Sequence, residues 1–242
     1  MVTKLEALLS WLAFPIYVWQ GLGVRRRTVR MAPPAGPTEV DLPGQGKPLQ
    51  ILVIGDSSAA GVGVEDFSES VAGRLPGLLA ETTGRPVHAR TSGNNSATSG
   101  QIRDHVVPNL KPVAYDYIVL NIGTNDAKNF HSGRRFCKEF GTLIYALRAR
   151  FPEATLIWSG VLDLKVVPSL PWPLNEILSI RSRIINQNGQ ILSQERGALA
   201  PPVTWNPIVE NFSNDGFHAS SKGYQDWAEA LAEYILELES TR

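Results

Sequence analysis

From Pro48 onward the chain alternates short apolar runs with amphipathic stretches, and that alternation restricts the fold more than any other feature. The runs are Gln50–Ile54, Val87–Thr91, Tyr115–Ile122 and Ala154–Ser159, with a shorter one at Val203–Trp205. Runs of this length, rich in Val, Ile and Leu and bounded by glycine, read as buried strands. Between them, Ser68–Ala80, Ser99–Val107, Arg134–Arg150, Leu174–Glu195 and the closing Ser221–Leu238 carry apolar residues at helical spacing. Strands alternating with helices imply a parallel sheet covered on both faces. The expectation is an α/β domain over residues 49–242 with five parallel strands and no internal repeat.

Two segments precede that domain. Residues 7–24 contain no charged side chain and carry Trp11, Phe14, Tyr17 and Trp19, the aromatic types that favour a lipid–water boundary. Arg25-Arg26-Arg27 and Arg30 follow. Eighteen such residues are near the lower limit for a span, whereas Pro15, Ser10 and Gln20 dilute the run as they would in an interfacial helix. A cleaved signal peptide fits less well, because the basic cluster follows the apolar run. Residues 1–30 are therefore expected to form a membrane anchor or interfacial helix, with the arginines keeping the main domain on the cytoplasmic side. Residues 31–48, with Pro33-Pro34, Gly36-Pro37 and Pro43-Gly44, read as a linker without regular structure.

Composition excludes several functions. Lys+Arg and Asp+Glu both number 23, so no overall field points to nucleic acid. A single cysteine, Cys137, rules out an intramolecular disulfide and any CxxC site. His88, His105, His131 and His218 form no HExxH-type ligand pair, so neither a metal nor another cofactor is expected. His88, His105 and His131 have no evident partner pattern and read as surface or structural residues. There is no G-x-S-x-G elbow, S-x-x-K pair, dinucleotide fingerprint or Walker A loop.

Polar, chemistry-bearing residues recur where strands end. Ser57 follows the first strand in Gly55-Asp56-Ser57-Ser58, Gly93 the second, Asn125 the third, and Asp215 and His218 the fifth. In a doubly wound sheet those ends share one edge, where ligands bind. A neutral imidazole at His218 could take the proton of a Ser57 hydroxyl, and a carboxylate three residues earlier could orient it. The backbone N–H groups of Ser57 and Gly93 and the Asn125 amide could receive an oxyanion. Each has a plainer alternative: Gly93 and Asn125 as turn residues, Asp215 as a helix cap.

Taken together these blocks resemble the GDSL, or SGNH, hydrolase family: Gly55-Asp56-Ser57-Ser58, Ser92-Gly93-Asn94, Gly123-Thr124-Asn125-Asp126 and Asp215-Gly216-Phe217-His218 follow in the family's order. The family's first block often has leucine where this chain has Ser58. The resemblance implies a flavodoxin-like three-layer sandwich over roughly residues 49–238. It implies Ser57 as nucleophile, His218 as base and acid, Asp215 as its orienting carboxylate, and an oxyanion hole of Ser57, Gly93 and Asn125. It implies hydrolysis of carboxylic esters, with thioesters and acetylated glycans as alternative substrates; a non-catalytic, membrane-tethered binding domain is the rival class. The loop 160–174, apolar and proline-rich, is expected on the catalytic edge, with Leu170, Trp172 and Leu174 as candidate acyl-binding residues. That loop and the apolar N-terminus favour acyl or lipid-derived esters.

Overall fold

The computed structural model describes residues 2–201 and 207–241. Its sheet contains β1 (Glu39–Leu42), β2 (Leu49–Gly55), β3 (Val87–Gly93), β4 (Tyr117–Asn121) and β5 (Thr155–Trp158), in the order β1-β3-β2-β4-β5. The pairings β3–β2, β2–β4 and β4–β5 are parallel, whereas β1 runs antiparallel to β3. The sheet is thus mixed, and the expectation of five parallel strands is corrected at β1. Residues 39–42, read as linker, alternate Glu-Val-Asp-Leu and cap the open edge of β3 (Glu39 opposite Arg90, Asp41 opposite His88). The expected strand Val203–Trp205 lies outside the described residues. Just before it, Leu199 makes one parallel bridge to Ile157 of β5.

Side chains alternate across a strand, so each central strand feeds two cores. Leu52 and Ile54 of β2, Ile118 and Leu120 of β4, and Trp158 of β5 pack on one side. There they meet α6 (Gly133–Arg150) and α7 (Leu174–Glu195), which follow the short α4 (Ser99–Gln101) and α5 (Thr124–Lys128) in the chain. On the other side Ile51, Val53, Tyr117, Val119 and Ile157 meet α3 (Val71–Thr83) and α8 (Ser221–Ser240). Full burial of each such side chain contributes about 1.5–3 kcal/mol. The layers are helix, sheet, helix. With β3 and β4 flanking β2, the chain reverses its winding direction at β2, which opens a crevice beyond the strand's carboxyl end.

The apolar N-terminus forms two helices, α1 (Lys4–Leu12) and α2 (Phe14–Arg27), bent by 60° at Ala13. Pro15 sits in the first turn of α2, where a missing N–H costs nothing. Among the described residues no single helix is long and apolar enough to cross a membrane; the bent pair together has the length and composition. The single N-terminal helix expected from the sequence is therefore replaced by a bent pair, and both members pack on α7. Phe130 is the anchor: Trp11, Phe14 and Tyr17 place their rings 5.0, 5.2 and 4.7 Å from it, and the Arg181 guanidinium lies 4.7 Å above it. Phe130 holds a left-handed φ of 59°, a conformation that costs a side-chain-bearing residue about 1–2 kcal/mol.

Candidate active site

Strand β2 ends at Gly55 and turns at once. Asp56 N–H donates to the Asn121 carbonyl (3.0 Å), Ala60 N–H to the Asp56 carbonyl (3.1 Å) and Val62 N–H to the Ser57 carbonyl (3.0 Å). This tight turn presents Ser57 at the carboxyl edge of the sheet. Two glycines let other elements approach it. A Cβ on Gly93 would lie 2.2 Å from the Ala60 nitrogen, and one on Gly63 (φ 120°) would lie 2.2 Å from the Ala219 carbonyl oxygen. The end of β3 and the loop before α8 close on the Ser57 turn only because both positions lack a side chain.

Asp215 and His218 lie in a hairpin-like loop held by the Phe212–Ala219 bridge and by Ser213 N–H donating to the His218 carbonyl (2.8 Å). His218 Nε2 is 3.1 Å from Ser57 Oγ, and its Nδ1 is 2.6 Å from Asp215 Oδ2. The other carboxylate oxygen, Oδ1, accepts from the backbone N–H of Phe217 (2.8 Å) and His218 (2.9 Å) and from Ser213 Oγ (2.8 Å). Burial alone would raise the Asp215 pKa, but the His218 ring and the His218 and Phe217 amides hold it well below the usual carboxylate range. Ser220 caps α8 by accepting from Gly223 N–H, so Asp215 is not the cap of that helix; it divides its oxygens between the imidazole and the loop's own donors.

Asn125 stands at the start of α5, 2% exposed. Its Nδ2 donates to the Ala97 carbonyl (3.0 Å) and to Asp56 Oδ2 (3.2 Å). Asp56, one residue before Ser57, also accepts from Ser58 N–H (3.0 Å) and Oγ (2.9 Å). Its burial raises its pKa, an effect the Ser58 bonds oppose. Tyr224, at the start of α8, donates its buried hydroxyl to the Val62 carbonyl (2.7 Å) and so ties that helix to the nucleophile turn.

A cavity of about 390 Å³ opens beside Ser57 and His218, within the range of small-molecule sites. Leu162, Leu164 and Val167 line it from the loop after β5, Phe212 and Phe217 from the loop before α8, and Trp227, Ala230 and Tyr234 from α8 itself. The loop 160–174 does reach the site, but through residues other than those singled out. Leu170 and Leu174 are buried in the core, and Trp172 projects into solvent, 75% exposed. None of these three lines the cavity, so that expectation is corrected. The loop has no helical or strand period, so its sequence does not say which residues turn inward. Trp227 and Tyr234, on the apolar stripe of α8, form part of the cavity wall.

Residues 53–225 match the sequence model of the GDSL-like Lipase/Acylhydrolase family. The chain belongs to that family. A curated relative, the GDSL-like esterase of Mycobacterium tuberculosis, is 26% identical over 195 residues, covering 76% of this chain; the chain spans about 60% of that relative's length. Among solved structures, the family 3 carbohydrate esterase of Clostridium thermocellum is similar with a TM-score of 0.63 at 20% identity, covering 79% of this chain and 97% of that one. The psychrotrophic esterase EstA of Pseudoalteromonas is similar with a TM-score of 0.61 at 14% identity, covering 79% and 98%. At these identities the structural likeness concerns the fold.

Three features of this GDSL-like chain escaped its sequence. Lys128 holds its ammonium 5.2 Å above the Phe217 ring. Burial lowers its pKa, the Asp56 carboxylate opposes that shift and Arg25 of α2 adds to it. Nothing in the local sequence marks this lysine, because its neighbours come from three distant segments. His131, assigned no partner from sequence, lies with Nδ1 3.1 Å from Asp126 Oδ1 and 3.5 Å from Glu139 Oε2. These three residues bring one ligand atom each within 4.8 Å of one another. Asp126 Oδ2 also accepts from Ser99 N–H and Oγ, both at 3.0 Å, so the group links α4, α5 and α6 behind Asn125. His88, likewise read as unpartnered, meets Asp41 of β1 at 2.7 Å.

Proposed function

We propose that the chain is a serine hydrolase of carboxylic esters that works through an acyl-Ser57 intermediate. The hydrogen-bonded series Asp215–His218–Ser57, with separations of 2.6 and 3.1 Å, carries this reading. Ser57 Oγ attacks the ester carbonyl carbon while His218 Nε2 takes its proton, and Asp215 balances the imidazolium. The tetrahedral intermediate then collapses, the C–O bond to the alcohol breaks, and His218 returns the proton to the leaving oxygen. Water, activated by the same imidazole, attacks the acyl-Ser57 carbonyl, releasing the acid and restoring the serine hydroxyl.

The oxyanion is received by the N–H groups of Ser57 and Gly93 and by Asn125 Nδ2, whose longer hydrogen bond, to Asp56, is exchanged for one to the developing charge. Asn125→Ala is expected to lower kcat by about 10²–10³-fold with little change in KM. Steady-state kinetics and a melting curve on the same sample check this; an unimpaired rate, or a loss of folding that accounts for the loss of rate, removes Asn125 from the donor set.

The cavity wall of Leu162, Val167, Phe212, Phe217 and Trp227 supports an acyl chain more than a sugar ring. We infer that acyl or lipid-derived esters are the substrates, met at a membrane whose anionic, cytoplasmic leaflet suits Arg25–Arg27. A fluorophosphonate probe should label the protein and not its Ser57→Ala variant. Across p-nitrophenyl esters of increasing chain length, kcat/KM should rise beyond acetate and fall once the chain outgrows the cavity. Turnover of acetylated glycans alone would replace this reading with deacetylation, thioester turnover alone with a thioesterase, and absence of labelling with a binding domain.

A further inference from the structure

We propose that the outer faces of α1 and α2, together with Trp172, form one surface that lies flat on an anionic lipid bilayer while the helix pair stays docked on the domain. The pair has two unlike sides. Its inner side is fixed by the Phe130 cluster, by Tyr17 donating to the Lys128 carbonyl (2.6 Å) and by the Arg183–Glu6 pair (3.1 Å). The outer side has Leu5, Leu8 and Leu12 exposed by 64%, 56% and 68%, followed by Trp19 at 75% and Leu22 at 50%. In α1 these positions follow the i, i+3, i+7 spacing of one helix face.

Trp172 belongs to the same surface. Gln20 of α2 donates to the Trp172 carbonyl (3.1 Å) and accepts from Leu174 N–H (3.0 Å), so an exposed tryptophan of the domain stands beside the exposed apolar side of the helices. Large apolar side chains exposed on one side of both helices mark an interaction site. Its flanks say with what. Arg25, Arg26, Arg27 and Arg30 are all exposed, make no ion pair among the described residues, and no Asp or Glu occurs between Ala7 and Thr38. An isologous dimer would bring two such cationic clusters into one contact, whereas anionic headgroups complement them.

Geometry favours lying in the plane over spanning. Nine and fourteen residues of helix measure about 14 and 21 Å, each short of a bilayer core of about 30 Å. Straightening the 60° bend to span would also strip the pair from Phe130 and Arg181. Docked as it is, α2 is linked to the catalytic cavity through one residue: Tyr17 bonds the carbonyl of Lys128, whose ammonium lies over Phe217 of the cavity wall. An ester drawn from the leaflet would meet the site with little travel through water. That consequence rests on the esterase reading; the docking itself does not.

The test uses the full chain and needs no turnover. Sedimentation with vesicles of phosphatidylcholine, with and without phosphatidylglycerol, is expected to give binding about tenfold or more tighter to the anionic ones, weakening as salt rises. Trp19→Ser and Trp172→Ser should each weaken binding several-fold, with far-UV circular dichroism unchanged; Trp19→Ser should also leave p-nitrophenyl acetate hydrolysis intact. The bound protein should be released by alkaline carbonate. Resistance to carbonate would mean a spanning anchor. Equal binding to both vesicle types would remove the role of the arginines. A stable dimer that Trp19→Ser dissolves, without vesicle binding, would assign the face to a second copy. Each of these overturns the proposal, and none depends on whether Ser57 is a nucleophile.

Discussion

Replacing His218 with alanine is expected to lower kcat for ester hydrolysis by about 10³-fold or more, with the melting temperature close to that of the native chain. That loss corresponds to about 4 kcal/mol of transition-state stabilisation. His218 Nε2 stands 3.1 Å from Ser57 Oγ, and a neutral hydroxyl without a base is a poor nucleophile. The His218 side chain is itself about 20% exposed at the cavity, so its removal leaves no void in either core. Ser57→Ala should reach a similar floor, and the double variant should fall little further, because the two groups act as one unit. Single-turnover kinetics on p-nitrophenyl esters measures all three. A His218→Ala rate near normal, or losses that multiply in the double variant, would dissolve the pairing on which the mechanism depends.

Strands β2, β4 and β5 were legible because they are buried on both faces and so appear as nearly unbroken apolar runs. β1 was not. Glu39–Leu42 has no intrinsic claim to be a strand; it becomes one because the far edge of β3 offers unpaired backbone groups, a tertiary fact hidden within a proline- and glycine-rich tract. The N-terminal run shows the same limit. Its apolar composition and the interruption at Pro15 were visible, but its docking site is Phe130 and Arg181, more than a hundred residues away. Composition described the outer face and missed the inner one.

At the site, the end of β2 pointed to Ser57, because topology gathers the carboxyl ends of parallel strands; the strand expected before Asp215 and His218 lies outside the described residues, and those two were marked by their Asp-x-x-His spacing. What the residues do to one another depended on local bonding no pattern reveals. Asn125 carries an amide toward the nucleophile block, yet its donors rest on Asp56 and Ala97. Gly93 was singled out for its bare N–H, whereas what the fold requires of it is the missing Cβ, since Ala60 occupies that space.

Asp215→Asn should separate orientation from mere contact. Asn is nearly isosteric, but an amide NH₂ facing His218 Nδ1 would make that nitrogen the acceptor and move the ring proton to Nε2, where it cannot receive the Ser57 proton. A fall in kcat of about 10³–10⁴-fold is expected, with substrate affinity little changed. The same substitution should alter acid stability, and its sign follows from the depressed Asp215 pKa. Between that depressed value and the ordinary 3.8, the unfolded chain binds a proton that the folded chain refuses, so stability rises with pH across the window. The contribution is complete above the ordinary value and is lost as pH falls toward the folded one. Unfolding free energies from urea titrations below pH 4 should therefore climb less steeply with pH in Asp215→Asn than in the native chain, by up to about 1.4 kcal/mol per pH unit. A variant that kept the native slope would show that the carboxylate is not held charged by His218 and the Phe217 and His218 amides. One that kept the native rate would show that His218 is oriented by something else.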